Sequence, residues 1–496
     1  MKNNKRVACI LPYSESKYRH RYQKDFIHMS GLITICEYLK QKGIETQIFD
    51  YLEEEGSDTL VLDEKLLKFA PAYICIWGMF CVEDIENFVK THRAILKFSQ
   101  NIAMGTGALA YKKCLQTMPE ISCVIVGNWE KNLEKIINST NNAWEEVIFR
   151  KENGDIVVNK YSMDDLDDIF KYIDPAKFIS KTDPQIAYLW GSRGCWYGQC
   201  TFCNVGAMAK LCVGSGWIER SNNAIVAEMK YLYLKGVRHF HFLDSEFIGP
   251  QTRGKVRALD FAKKIIESGM QISFYIDTRI NCIDYETFSL LKKAGLNSVF
   301  IGMECACNKS LACIKKGYNK DTILPAIRIV QKLKIPFRLG ILIAVPESDL
   351  FDIKENLKFL VDNNLYQGLR VVGVGSVFHE LHLHLGTEIY EKYVEYTHDR
   401  KMDGEVPCYY VNKEVRIFID YARILQEYVK KRHIYAIKKM VHKKEQYLFS
   451  LRIISVNGLL QLIECLINGK KDHLLKVINE LFAYHDSYWK ISVIDM

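Results

Sequence analysis

From Ile186 to about Phe378 an apolar strand followed by an amphipathic helix recurs about every 30 residues, and this period narrows the possible folds more than any other feature of the chain. Strands are expected from Ile186 to Trp190, Val237 to Leu243, Gln271 to Ile276, Ser298 to Met303, Phe337 to Val345 and Leu369 to Val377. Helices are expected between them, such as Ala224 to Lys235, Val256 to Ser268, Tyr285 to Ala294 and Asp321 to Leu333, with Gly236, Gly269 and Gly295 as stop signals. Units of this kind predict a partial (β/α)6 barrel of parallel strands, in which chemistry gathers at the carboxyl-terminal strand ends.

Residues 1 to about 150 alternate strands and helices in a different register. Strands are expected from Arg6 to Leu11, Glu45 to Phe49, Ala72 to Trp77, Asn101 to Met104 and Cys123 to Val126. Helices are expected from Ser30 to Lys42 and from Glu83 to Phe98. The pattern predicts an α/β, doubly wound parallel sheet with a ligand crevice at its carboxyl edge, where the turns Gly105-Thr106-Gly107 and Gly127 fall. Residues 151–185, with Asp164, Asp165, Asp167 and Asp168, read as an acidic linker, 186–384 as the barrel and 385–496 as a helical domain. A basic stretch there, Lys430, Lys431, Arg432, His433, Lys438, Lys439, Lys443 and Lys444, suits one helix face, either solvated or able to dock an acidic peptide leader.

Just after the first barrel strand stand Cys195, Cys200 and Cys203. Three thiolates can hold three irons of a cubane and leave the fourth iron open to a ligand. Gly194 and Gly198 permit tight turns, and Trp196, Tyr197 and Phe202 can shield a cluster from water. Zinc is the alternative, but the nearest histidines, His239 and His241, lie in an apolar run. A disulfide framework fits worse, because the 16 cysteines are spread over 496 residues and Cys9, Cys36, Cys75, Cys123, Cys313 and Cys465 sit in apolar patterns. His379, His382 and His384 alternate as in a strand-end loop and are assigned no metal.

Hydrophobic residues at 48% and charged residues at 25% are ordinary globular values. A net charge of +8 is too mild to argue for nucleic acid. No uninterrupted apolar run reaches the roughly 18 residues of a membrane span, and the amino terminus leads directly into a strand, so a cytoplasmic protein with reduced thiols and no membrane partner is expected.

The cysteine run resembles the motif of the radical S-adenosylmethionine (radical SAM) superfamily, in which three cysteines hold a 4Fe-4S cluster and SAM chelates the fourth iron. The family norm is C-x3-C-x2-C, whereas four residues separate Cys195 from Cys200. Some cobalamin-binding members linked to peptide maturation also lengthen this gap, and Trp196-Tyr197-Gly198 is similar to their aromatic-aromatic-Gly. The resemblance extends to the strand ends. Leu243-Asp-Ser-Glu-Phe247 resembles Asp-Asp-x-Phe and implies that Asp244 or Glu246 accepts the SAM ammonium; a helix cap is the alternative. Arg279 can pair with the SAM carboxylate or serve in a solvated surface pair. Gly302-Met-Glu-Cys305 is similar to Gly-Ile-Glu-Ser and implies a ribose contact for Glu304. Gly340 to Glu347 resembles the adenine-binding Gly-x-Ile-x-Gly-x-x-Glu, with Leu342 and Ala344 as departures.

The amino-terminal region resembles the cobalamin-binding domain that precedes many such barrels. This resemblance implies corrinoid contacts from Gly105, Thr106, Gly107 and Gly127, and the lack of Asp-x-His-x-x-Gly implies no lower histidine ligand of that kind. A sheet domain that has lost its corrinoid is the alternative. The implied activity is reductive: a reduced flavodoxin or ferredoxin supplies an electron, SAM is cleaved, and the 5′-deoxyadenosyl radical abstracts a hydrogen. With cobalamin, the expected outcome is C-methylation of a peptide or small natural product. The alternatives are a radical SAM oxidoreductase, cyclase or rearrangement enzyme, or a non-catalytic iron–sulfur scaffold. No residue is assigned to acid–base catalysis.

Overall fold

The structure is a computed structural model that describes residues 5–14, 29–51, 58–79, 82–139, 144–369, 380–397, 406–439 and 443–489. Its amino-terminal strands are β1 (Arg6–Leu11), β2 (Glu45–Asp50), β3 (Tyr73–Trp77), β4 (Gln100–Met104) and β5 (Ile121–Ile125), parallel in the order β2-β1-β3-β4-β5. Val7 to Leu11 of β1 are all buried, as a parallel strand covered on both faces requires. The order reverses between β1 and β3, which opens a crevice at their carboxyl ends. Two short antiparallel strands, β6 (Ile148–Arg150) and β7 (Ile156–Val158), carry the sheet into the stretch expected as a linker. The helix expected from Glu83 to Phe98 is two helices, Val82–Thr91 and Arg93–Leu96. They meet at buried His92, whose ring lies 2.9 Å from the Phe88 carbonyl and 3.1 Å from Asp63.

The linker's carboxylates are not merely solvated. Asp165 caps the helix Leu166–Phe170, and Asp167 accepts from the Ser221 amide at 3.0 Å. Asp164 and Asp168 pair with Lys131 of the first domain at 3.4 and 3.2 Å. The acidic run therefore ties both domains together.

The barrel strands are β8 (Ile186–Leu189), β11 (His239–Phe242), β12 (Ser273–Arg279), β13 (Leu296–Glu304) and β14 (Phe337–Ile341), all parallel in the order β14-β13-β12-β11-β8. Between β8 and β11 lies an antiparallel pair, β9 (Ser192–Gly194) and β10 (Trp217–Glu219). Leu369 bridges Leu339 in parallel sense where the sixth strand is expected; the rest of that expected strand, 370–377, and His379 lie outside the described residues. Strand β14 ends at Ile341, where the register with β13 shifts between Gly302 and Glu304 and the Leu342 amide makes the last ladder bond to the Glu304 carbonyl at 2.8 Å.

The carboxyl-terminal helices Lys413–Lys439, Lys444–Ile467 and Leu474–Trp489 pack on one another. By length and composition Lys444–Ile467 is apolar enough to cross a membrane, and half of its most apolar window is buried within the protein. Of the basic stretch, Lys431, Lys438 and Lys439 are exposed, whereas Arg432 and His433 turn inward and Arg432 pairs with Asp486 at 2.7 Å.

Candidate active site

The cysteine loop is pinned from beneath before any cofactor is considered. Asp244, just past β11, accepts hydrogen bonds from the Gly191 amide at 2.9 Å and from the Ser192 hydroxyl. At Gly194 the backbone adopts φ +86°, and a Cβ there would lie 2.0 Å from the Gly216 carbonyl, so only glycine fits. Burial pushes the Cys195 thiol up, opposed by the Gly198 and Tyr197 amides, and pushes Cys203 up to about 11, opposed chiefly by the Gly206 amide. Metal binding at these two thiols must therefore displace protons. Among the described residues no three His, Cys, Asp or Glu side chains are grouped to hold a single metal ion. A cubane takes each thiolate on a separate iron and does not require the three to meet at one ion.

A charged relay joins the loop to the strand ends. Arg279, at the end of β12, points Nη1 to Cys200 Sγ at 3.8 Å, donates through Nη2 to the Lys316 carbonyl, and lies 4.0 Å from the Tyr197 ring centroid. Lys316 Nζ donates to Glu304 Oε1 at 2.8 Å. Burial opposes the charge on Lys316, but Glu304 and Cys200 together hold its ammonium above the usual range. Glu304 itself sits at φ +63°, a conformation that costs a non-glycine residue energy and recurs at functional sites. Lys316 was not foreseen, since Lys315-Lys316 in a loop reads as a solvated pair.

The remaining strand-end residues serve the framework. Glu246 is fully buried and accepts from the Ile248 and Gly249 amides at 3.0 and 2.7 Å. Burial raises Asp244 to about 6 and Glu246 to about 7. Asp244 ties its strand end to the Gly191–Ser192 turn and Glu246 closes the local turn at Ile248 and Gly249, while Pro250, not either carboxylate, precedes the helix Gln251–Glu267. At the expected adenine strand, Gly340 lies beside Gly302 in register. The Leu342 amide and carbonyl are both taken, the carbonyl by Asn356 Nδ2 at 3.1 Å, whereas no backbone hydrogen bond occupies Ala344 among the described residues.

A cavity of about 260 Å³ lies between the two domains. Trp77, Trp129, Tyr161 and Trp190 form its aromatic walls; of Gly105, Thr106, Gly107 and Gly127, Thr106 and Gly127 line it and the other two do not. Gly107 instead donates to the Gly78 carbonyl at 2.7 Å and holds the turn. A Cβ on Gly127 would lie 2.4 Å from the Tyr161 ring. Beside the cavity, Arg193 and Glu130 form a two-pronged pair with both bonds at 3.0 Å, Glu130 being fully buried. Burial alone would raise the Glu130 carboxyl, but Arg193 outweighs it and holds it below the ordinary range. Arg193 lies two residues before Cys195, so this pair couples the first domain to the cysteine loop.

Residues 191–360 match the family model described as the Radical SAM superfamily. That stretch is a radical SAM segment within a longer chain. Among curated relatives it is similar to the "Uncharacterized methyltransferase PH0819" of Pyrococcus horikoshii, 27% identical over 34% of this chain and 35% of that protein. It is also similar to the "Hopanoid C-3 methylase" of Methylococcus capsulatus, 24% identical over 69% of this chain and 65% of that one. The chain thus spans about a third of the first relative and just under two thirds of the second. Its fold is that of the solved cobalamin-dependent S-adenosylmethionine radical enzyme OxsB, with TM-score 0.72 and 16% identity over 98% of this chain and 80% of that one. The cysteine loop, Arg279, Lys316 and Glu304 stand at the carboxyl ends of the barrel strands, where this fold concentrates its chemistry.

Proposed function

We propose that this radical SAM enzyme holds a 4Fe-4S cluster on Cys195, Cys200 and Cys203, SAM against Arg279 and Glu304, and cobalamin in the cavity between the domains, and that it methylates carbon in a peptide or small natural product. The observation that carries the reading is that Arg193, Gly194 and Val205, which flank the cysteine run, line the aromatic cavity together with Trp77 and Trp129 of the first domain. The cavity fits a corrinoid chemically: its walls are aromatic, and Asn128, Trp129, Trp190 and Arg193 each present a buried polar atom without a partner among the described residues. A corrin macrocycle exceeds the enclosed volume, so it would also occupy the open side of the cleft.

When bound, the cluster and SAM supply a 5′-deoxyadenosyl radical, and cobalamin supplies a transferable methyl group. The protein's own residues do the rest. Arg279 offers a guanidinium beside Cys200 for the SAM carboxylate, and Glu304, braced by Lys316, orients the ribose. Trp196, packed against the barrel core, helps keep water from the cysteine loop. Reduced flavodoxin or ferredoxin fits the need for a one-electron donor.

Two supports favour methyl transfer: the names of both curated relatives and the cavity. A second reading, radical chemistry without methyl transfer, follows from the likeness to OxsB, a cobalamin-dependent S-adenosylmethionine radical enzyme. Anaerobic incubation of the cobalamin-loaded enzyme with dithionite and SAM labelled at the methyl group separates them. Methyl transfer predicts S-adenosylhomocysteine together with 5′-deoxyadenosine; 5′-deoxyadenosine alone would favour the second reading.

A further inference from the structure

Asn128 stands directly before the helix Trp129–Asn138, where an asparagine ordinarily caps the first turn with its side chain. Here it makes no such cap, and its backbone is left-handed, at φ +51° and ψ +45°. The residue lines the interdomain cavity, and it is 3% exposed. Neither Oδ1 nor Nδ2 has a hydrogen-bond partner among the described residues. An amide desolvated at both ends is unfavourable unless something else completes its bonds. Three more orphaned donors belong to residues lining the same cavity: the indole Nε1 of Trp129, the indole Nε1 of Trp190, and Nε of Arg193.

A ligand that satisfies this set must present both a donor and acceptors at close range. A primary carboxamide does so in one planar group, since its carbonyl accepts from Asn128 Nδ2 and its N–H donates to Asn128 Oδ1. A carboxylate offers acceptors only and would set a negative oxygen against Asn128 Oδ1. The corrin ring of cobalamin carries primary carboxamides around its edge. We infer that Asn128 reads one of these carboxamides, with Trp129, Trp190 and Arg193 as further donors, and so selects an amidated corrinoid over its carboxylate counterpart. The inference rests on the corrinoid reading above and adds to it a residue with a stated selectivity.

The test uses iron-loaded full-length protein and seven probes: hydroxocobalamin and the six monocarboxylic acids in which one of its primary side-chain amides, acetamide or propionamide, is hydrolysed. Binding is followed by corrin absorbance. Wild type should bind at least one monoacid about tenfold more weakly than hydroxocobalamin, the effect of one mispaired buried hydrogen bond. Asn128→Gly, which accepts the positive φ, should keep its iron, bind hydroxocobalamin about tenfold more weakly and lose the discrimination. Equal binding of all seven corrinoids by wild type overturns the inference whether or not the variant folds. So does an Asn128→Gly protein that matches wild type with every probe. A wild type that keeps its iron and binds no corrinoid overturns the cobalamin reading and this inference with it.

Discussion

The cluster end of the barrel and the cavity between the domains hold their polar groups in opposite states. Around the cysteines, Arg279, Lys316 and Glu304 are bonded to one another, to backbone or to Cys200. In the cavity, Asn128, Trp129, Trp190 and Arg193 keep buried polar atoms without partners. The first arrangement is preorganised, with its charges fixed before SAM arrives. The second leaves hydrogen bonds for a ligand to complete. Arg193 belongs to both, because its guanidinium tips are satisfied by Glu130 while its Nε is not.

The largest expected effect breaks the comparison at that shared residue. Arg193→Met leaves Glu130 buried without its countercharge, at a cost of about 3–5 kcal/mol, and Glu130→Gln added to it should recover part of the loss. Urea unfolding of the single and double variants measures both. A single variant as stable as wild type would mean that the domains do not depend on this pair. A smaller effect sharpens the cluster side: Glu304→Ala should weaken SAM binding by about 1–3 kcal/mol and lower the 5′-deoxyadenosine yield, with iron content unchanged. Unchanged affinity would remove Glu304 from the ribose site, and loss of iron would make it a residue of the fold.

The parallel strands were legible because each is a short apolar run set between amphipathic helices with glycine stops, and β1, β3 and β4 fall within a residue of expectation. Strands β6 and β7, three residues each, carry too little pattern to be seen. The cysteines and Glu304 could be placed from local motifs. Lys316 could not, because its burial depends on a carboxylate on β13 and a guanidinium on β12. The Arg193–Glu130 pair joins residues 63 positions apart, and no local spacing announces it. Gly127-Asn128-Trp129-Glu130 stands out in the sequence only as the counterpart of the Gly-Glu-x-Glu of the resembled domain, and nothing local shows that the Asn128 amide is left without a partner.

The most direct test of the account counts both metals in one protein, reconstituted anaerobically with iron, sulfide and hydroxocobalamin. It predicts about four irons and one cobalt per chain, and a Cys195→Ala, Cys200→Ala, Cys203→Ala variant that loses the iron yet keeps the cobalt. Wild-type protein with a full complement of iron and no cobalt, or a triple variant that retains its iron, would contradict it.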